Sequence, residues 1–163
     1  MRGWLFTALA ALALTAAADD APHLKRVNFL VADLERSLAL YRDVLGFELF
    51  AITESRPTSY SYPVFRLPPE AKLRFATLNS ATEVRAFAIT EVRGIELPRP
   101  AGPFTAAPVL RVVDLAGKVA RLRDLGAEVV DPVESVTSDG DRFVEAAFVD
   151  PDGHLVVIYE LIR

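Results

Sequence analysis

The chain has 163 residues, with 18 Lys and Arg against 22 Asp and Glu for a net charge of −4, 52% hydrophobic residues and no Cys. This acidic balance argues against nucleic acid as a partner, because phosphate binding needs a basic surface, and the missing Cys excludes a disulfide framework. The length suits a single domain.

Met1 to Ala18 has one basic residue, Arg2, then an Ala/Leu run with small residues at Ala16 and Ala18. This is the layout of an export signal cleaved before Asp19; the apolar centre is short for a membrane anchor, which needs ~20 residues. The expected location is therefore secreted or periplasmic, with no membrane contact after cleavage. N-terminal sequencing of exported protein should begin at Asp19, and material that still starts at Met1 would refute the assignment.

From Leu24 to Val31 the chain alternates as a strand, with Val27, Phe29 and Val31 towards a helix and Arg26, Asn28 and Leu30 on the opposite face. Asp33 is placed to cap a helix whose stripe is Leu34, Leu38, Tyr41 and Leu45, and Gly46 ends it in a left-handed conformation. Further strands are expected over Phe47–Thr53, Tyr60–Leu67, Lys72–Leu78 and Val84–Glu91, one of them open to irregularity. The Pro-rich stretch Leu97 to Pro103 reads as a linker.

The pattern then starts again. Val109–Val112 is a strand, Asp114 a second cap, Leu115–Leu125 a helix with Val119 and Leu122 on its buried stripe, and Glu128–Val130, Arg142–Val149 and Leu155–Leu161 are strands. Val133–Asp141 reads as a loop, and Asp150-Pro151-Asp152-Gly153-His154 as a tight hairpin with His154 solvated at its tip. Asp33 and Asp114 are 81 residues apart, about half the folded chain, so the leading explanation is an internal duplication. Each half is too small to bury much core alone, and two halves side by side leave a junction where ligands bind.

The run from Val31 to Phe47, with Phe148-Val149-Asp150-Pro151-Asp152-Gly153-His154 ahead of a terminal strand, resembles the vicinal oxygen chelate superfamily. That group holds glyoxalase I, bleomycin-resistance proteins, fosfomycin-resistance enzymes and extradiol dioxygenases. The resemblance spans about residues 24 to 161 and implies an α+β fold of two βαβββ modules forming a curved sheet cup. The modules would cover about 24–93 and 106–163, joined by a linker over 94–105 in one domain that starts at residue 19. Assembly as a homodimer is a further expectation.

In the enzymes of that superfamily the cup holds a divalent metal on His and Glu. Carried over by motif, the ligand positions fall on Arg26, Ala107, Val157 and, within one or two residues, Ala86. A guanidinium and alkyl groups offer no lone pair to a metal. Neither a metal ligand nor a cofactor is expected, and a divalent ion would need non-standard ligands. Glu145 and Glu83 reach the cup only if the strand parity is shifted, and Glu160 falls on the opposite face from Val157.

The cup would instead present Arg26, Asn28, Arg111, Val157 and Tyr159, with small apolar residues around them. Cations above apolar walls suit a small organic, anionic ligand, although Arg26 and Arg111 could equally pair with carboxylates on the sheet. There is no nucleophile elbow, phosphate loop or Cys nucleophile. Two function classes remain: an exported binding protein without metal, or a metal-dependent lyase or dioxygenase with non-standard ligands.

Overall fold

Strand alternation governs the first element of the computed structural model, which describes residues 22–162. In β1 (Val27–Val31), Val27, Phe29 and Val31 join the core beneath the helices, while Leu30 packs on the other face. The expected export signal, residues 1–18, and the Asp19 cleavage point lie outside the described residues.

Asp33 caps α1 (Leu34–Leu38), its Oδ1 accepting the Arg36 N–H at 3.0 Å. The helix does not continue uniformly to Leu45. Ala39–Val44 is π-helical, and the Leu45 N–H reaches back to the Leu40 carbonyl at 2.9 Å. The wider turn buries the adjacent Leu40 and Tyr41 together, which a 3.6-residue stripe does not anticipate. Asp33→Ala should lower stability by ~0.5–2 kcal/mol in a denaturant melt, the usual loss of an N-cap.

The remaining strands of the first module are β2 (Glu48–Glu54), β3 (Lys72–Asn79) and β4 (Phe87–Arg93), in the order β1-β4-β3-β2 with β1 parallel to β4. The second module repeats the path. Its elements are β5 (Val109–Arg111), α3 (Leu115–Asp124), β6 (Glu128–Val136), β7 (Arg142–Val149) and β8 (Leu155–Leu161), in the order β5-β8-β7-β6 with β5 parallel to β8. Two four-stranded sheets built the same way make this the α+β, two-module fold.

Three of the expected strand and loop segments also depart from the sequence expectation. Tyr60–Leu67 is not a strand: Ser61–Phe65 forms the short helix α2, with the Ser59 hydroxyl accepting the Ser61 N–H. Pro63 lacks the N–H a ladder needs but is tolerated in a first helical turn. The strand expected from Val84 begins at Phe87, because Asn79 Oδ1 accepts the Arg85 N–H and Ser80 Oγ the Glu83 N–H, folding the chain into a turn. Finally, β6 runs past Asp131-Pro132 to Val136 rather than stopping at Val130. The register shift between Val130 and Val133 absorbs the proline as a bulge, and only 137–141 is left as the turn.

The hairpin after β7 ties the modules together. Asp150 accepts the Asp152 and His154 N–H groups through Oδ1 and the Tyr41 hydroxyl through Oδ2 at 2.8 Å. Burial, then the Asp150 charge, raises the Tyr41 pKa well above its ordinary value. Asp152 Oδ1 accepts the Ala32 N–H at 2.8 Å and the Arg36 guanidinium at 3.0 Å. His154 is half-buried rather than solvated at the tip: its ring stacks on Phe29 at 4.1 Å, and Nε2–H donates to the Leu30 carbonyl at 2.7 Å. Gly153 adopts φ 92°, and a Cβ there would meet Pro100 of the linker at 2.8 Å, so glycine is required twice over. From the helix side, Lys118 Nζ donates to the Val44 carbonyl and Arg121 to that of Asp43, so one core runs through both modules.

Candidate functional site

The sheet face turned away from the helices differs between the two modules. In module one, Leu30, Leu73 and Val92 on that face are covered by Tyr62 and Leu67 of the segment around α2 and by Ile95 and Leu97 of the linker. The Tyr62 hydroxyl fixes the cover by donating to the Ala71 carbonyl at 2.8 Å. In module two the matching connection is only the turn 137–141, and the face stays open: Val109 is 63% exposed and Val133 60%. Connection length thus leaves one accessible floor out of two.

On that floor the register sets three polar side chains in one row. Arg111 pairs with Tyr159, and Tyr159 with Glu145. Directly opposed residues point to the same face, so Glu145 joins Arg111 and Tyr159 with no shift of parity, contrary to the sequence expectation. Val109, Val157 and Ala147 form the apolar row on one side, and Leu161 and Phe143 the row on the other. Tyr159 and Phe143 meet edge to face at 6.3 Å.

Beside Arg111, where β5 and β8 end, lies a cavity of about 540 Å³ lined by Arg111, Val112, Val113, Val144, Glu160, Leu161 and Ile162. The volume is within the range of small-molecule sites, ~300–1,000 Å³. The Glu160 carboxylate in its wall is already engaged, accepting the Asp114 and Leu115 N–H groups at 2.9 Å each at the start of α3. Arg111, by contrast, is exposed and has no ion-pair or hydrogen-bond partner among the described residues.

The structure therefore joins Arg111, Val157 and Tyr159 of the expected set and leaves Arg26 and Asn28 on the other module. Arg26 Nε donates to the Arg85 carbonyl at 2.9 Å, and its guanidinium carbon lies 5.8 Å from the Phe75 ring centre. Asn28 accepts the Thr90 hydroxyl at 3.0 Å. Sequence reasoning missed Glu145 as a member of the row. The signal available was its even spacing from Phe143 and Ala147, but which parity faces outward depends on how β7 pairs.

The pairing also fixes the fourth position at which the superfamily places a metal ligand. Val157 lies beside Val109, and the equivalent pair in module one is Ala88 beside Asn28, so the counterpart is Ala88, two residues from Ala86 and within the expected range. Arg26, Ala88, Ala107 and Val157 include no group that donates a lone pair to a divalent cation. Among the described residues no cluster of three or more His, Cys, Asp or Glu side chains supplies a substitute, and the donor set does not fit a metal.

The fold has solved relatives. A glyoxalase family protein from Bacillus cereus superposes with a TM-score of 0.66 at 16% identity, over 88% of this chain and 98% of its own. The trypanothione-dependent glyoxalase I of Leishmania major gives a TM-score of 0.57 at 18% identity, over 86% and 87%. The fosfomycin resistance protein FosX of Listeria monocytogenes, solved with Mn(II) and a dihydroxypropylphosphonic acid, gives 0.56 at 14%, over 85% and 91%. At these identities the likeness establishes the fold alone. No curated protein matches the chain by sequence. The family model for the Glyoxalase/Bleomycin resistance protein/Dioxygenase superfamily matches residues 23–158, and with the duplicated βαβββ path this chain belongs to that superfamily.

Proposed function

We propose that this is an exported, secreted or periplasmic, member of the superfamily that binds a small organic anion without a metal, on the open face of module two. The observation that carries the reading is Arg111: an exposed guanidinium without a side-chain partner among the described residues, on an open face beside the apolar rows of Val109, Val157 and Leu161. A guanidinium offers two parallel N–H donors to a carboxylate or phosphonate, while Val157, Val109 and Leu161 bury an apolar body. The lyase or dioxygenase alternative needs a divalent metal, and the positions at which the superfamily places its ligands carry Arg26, Ala88, Ala107 and Val157 instead.

Calorimetry with hexanoate and hexylphosphonate tests this. Arg111→Ala should weaken binding by ~1.5–3 kcal/mol, the range for hydrogen bonds to charged groups. Arg26→Ala should have a smaller effect, because that guanidinium is already bonded to the Arg85 carbonyl. Equal affinity in wild type and Arg111→Ala would show that Arg111 does not hold the anion.

A further inference from the structure

We propose that the ligand is a zwitterion, its anionic group on Arg111 and an ammonium group on Glu145. The inference rests on the anion site described above and extends it to the other end of the ligand. Three observations support it.

The first is position. Arg111 and Glu145 flank Tyr159 across neighbouring strands, so their backbones lie about two strand spacings, ~10 Å, apart. Both side chains rise from the same face and leave a gap between their charges.

The second is the absence of internal pairing. Among the described residues Glu145, like Arg111, has no ion-pair or hydrogen-bond partner. Among the described residues the other basic side chains of module two are engaged, Arg142 with Glu134 at 2.9 Å, Arg123 with Asp131 at 2.6 Å, and Lys118 and Arg121 with backbone carbonyls. Glu145 is also the more buried: it is partly covered, and its neighbours along and across the strands are Phe143, Ala147, Tyr159 and Val133. A carboxylate half removed from water among apolar groups is stabilised by a cation that arrives with the ligand.

The third is the surface between the charges. Tyr159 stands between Arg111 and Glu145 in the row, and the apolar rows run on both sides. A hydrocarbon chain or flat ring fits there, its two charged ends directed to the two side chains. An anion alone leaves Glu145 without a partner, so the row discriminates in favour of an amine at the far end.

Calorimetry with 6-aminohexanoate, hexanoate and hexylammonium separates this inference from the reading beneath it. In the wild type, 6-aminohexanoate should bind about tenfold more tightly than either single ion. Glu145→Gln should reduce it to the level of hexanoate and leave hexanoate unchanged, a pattern that a loss of folding would not produce. Equal binding of hexanoate and 6-aminohexanoate by the wild type overturns the zwitterion and leaves the anion site standing. A gain in hexanoate affinity in Glu145→Gln overturns it as well, because Glu145 would then be the counter-ion of Arg111. If none of the three compounds binds, or if hexanoate binds equally without Arg111, the anion site itself falls and the inference with it.

Discussion

Asp150→Ala should destabilise the protein by about 3–5 kcal/mol, because a single carboxylate, itself 0% exposed, serves three donors. Its removal strands the buried Tyr41 hydroxyl in the core of module one and frees the backbone of the hairpin that carries Asp152 and His154 to that module. Each buried donor without a partner costs about 1–3 kcal/mol. Urea denaturation measures the sum. Tyr41→Phe in the same assay should lose less, since it removes one donor together with its need for an acceptor. An Asp150→Ala loss below about 1 kcal/mol would mean that the hairpin does not hold the modules together.

Glu91→Ala should have an effect of similar size, about 3 kcal/mol or more. The residue is 6% exposed on β4, where its carboxylate accepts the Leu34 N–H at the start of α1 and the Arg74 guanidinium at 3.0 and 3.1 Å. Arg93 Nε also lies 3.1 Å from it. Truncation leaves the Leu34 N–H without its acceptor and the partly buried Arg74 with only the exposed Glu35 at 3.4 Å, and removing one partner of a buried pair is the costly change. Its equivalent, Glu160, makes the same bridge to α3 but stands at the wall of an open cavity, so water can replace it. Glu160→Ala should therefore cost less than Glu91→Ala in matched denaturant melts. The reverse order would show that burial does not set these energies.

The same distinction separates what was legible in the sequence from what was not. Both N-caps were legible, because an Asp carboxylate and the N–H it accepts are three residues apart: Asp33 with Arg36, Asp114 with Gly117. So was the duplication, which repeats a strand, cap and helix in linear order. Amphipathic alternation misled at Tyr60–Leu67, where Pro63 and the Ser59 hydroxyl favour a helix, and at Pro132, where a bulge lets β6 continue.

The sequence by itself determined the two-module plan and the alternation of each strand, because those rest on contacts between near neighbours and on the period of the chain. The tertiary structure alone decided which outward face is open. That depends on α2 and the linker covering Leu30, Leu73 and Val92 in one module, while the short turn 137–141 covers nothing in the other. It alone drew His154 from an expected solvated tip onto Phe29, 125 positions earlier in the chain. It also brought Glu145 into line with Arg111, since a row across three strands is set by register, and register is a pairing between distant segments that no local pattern encodes.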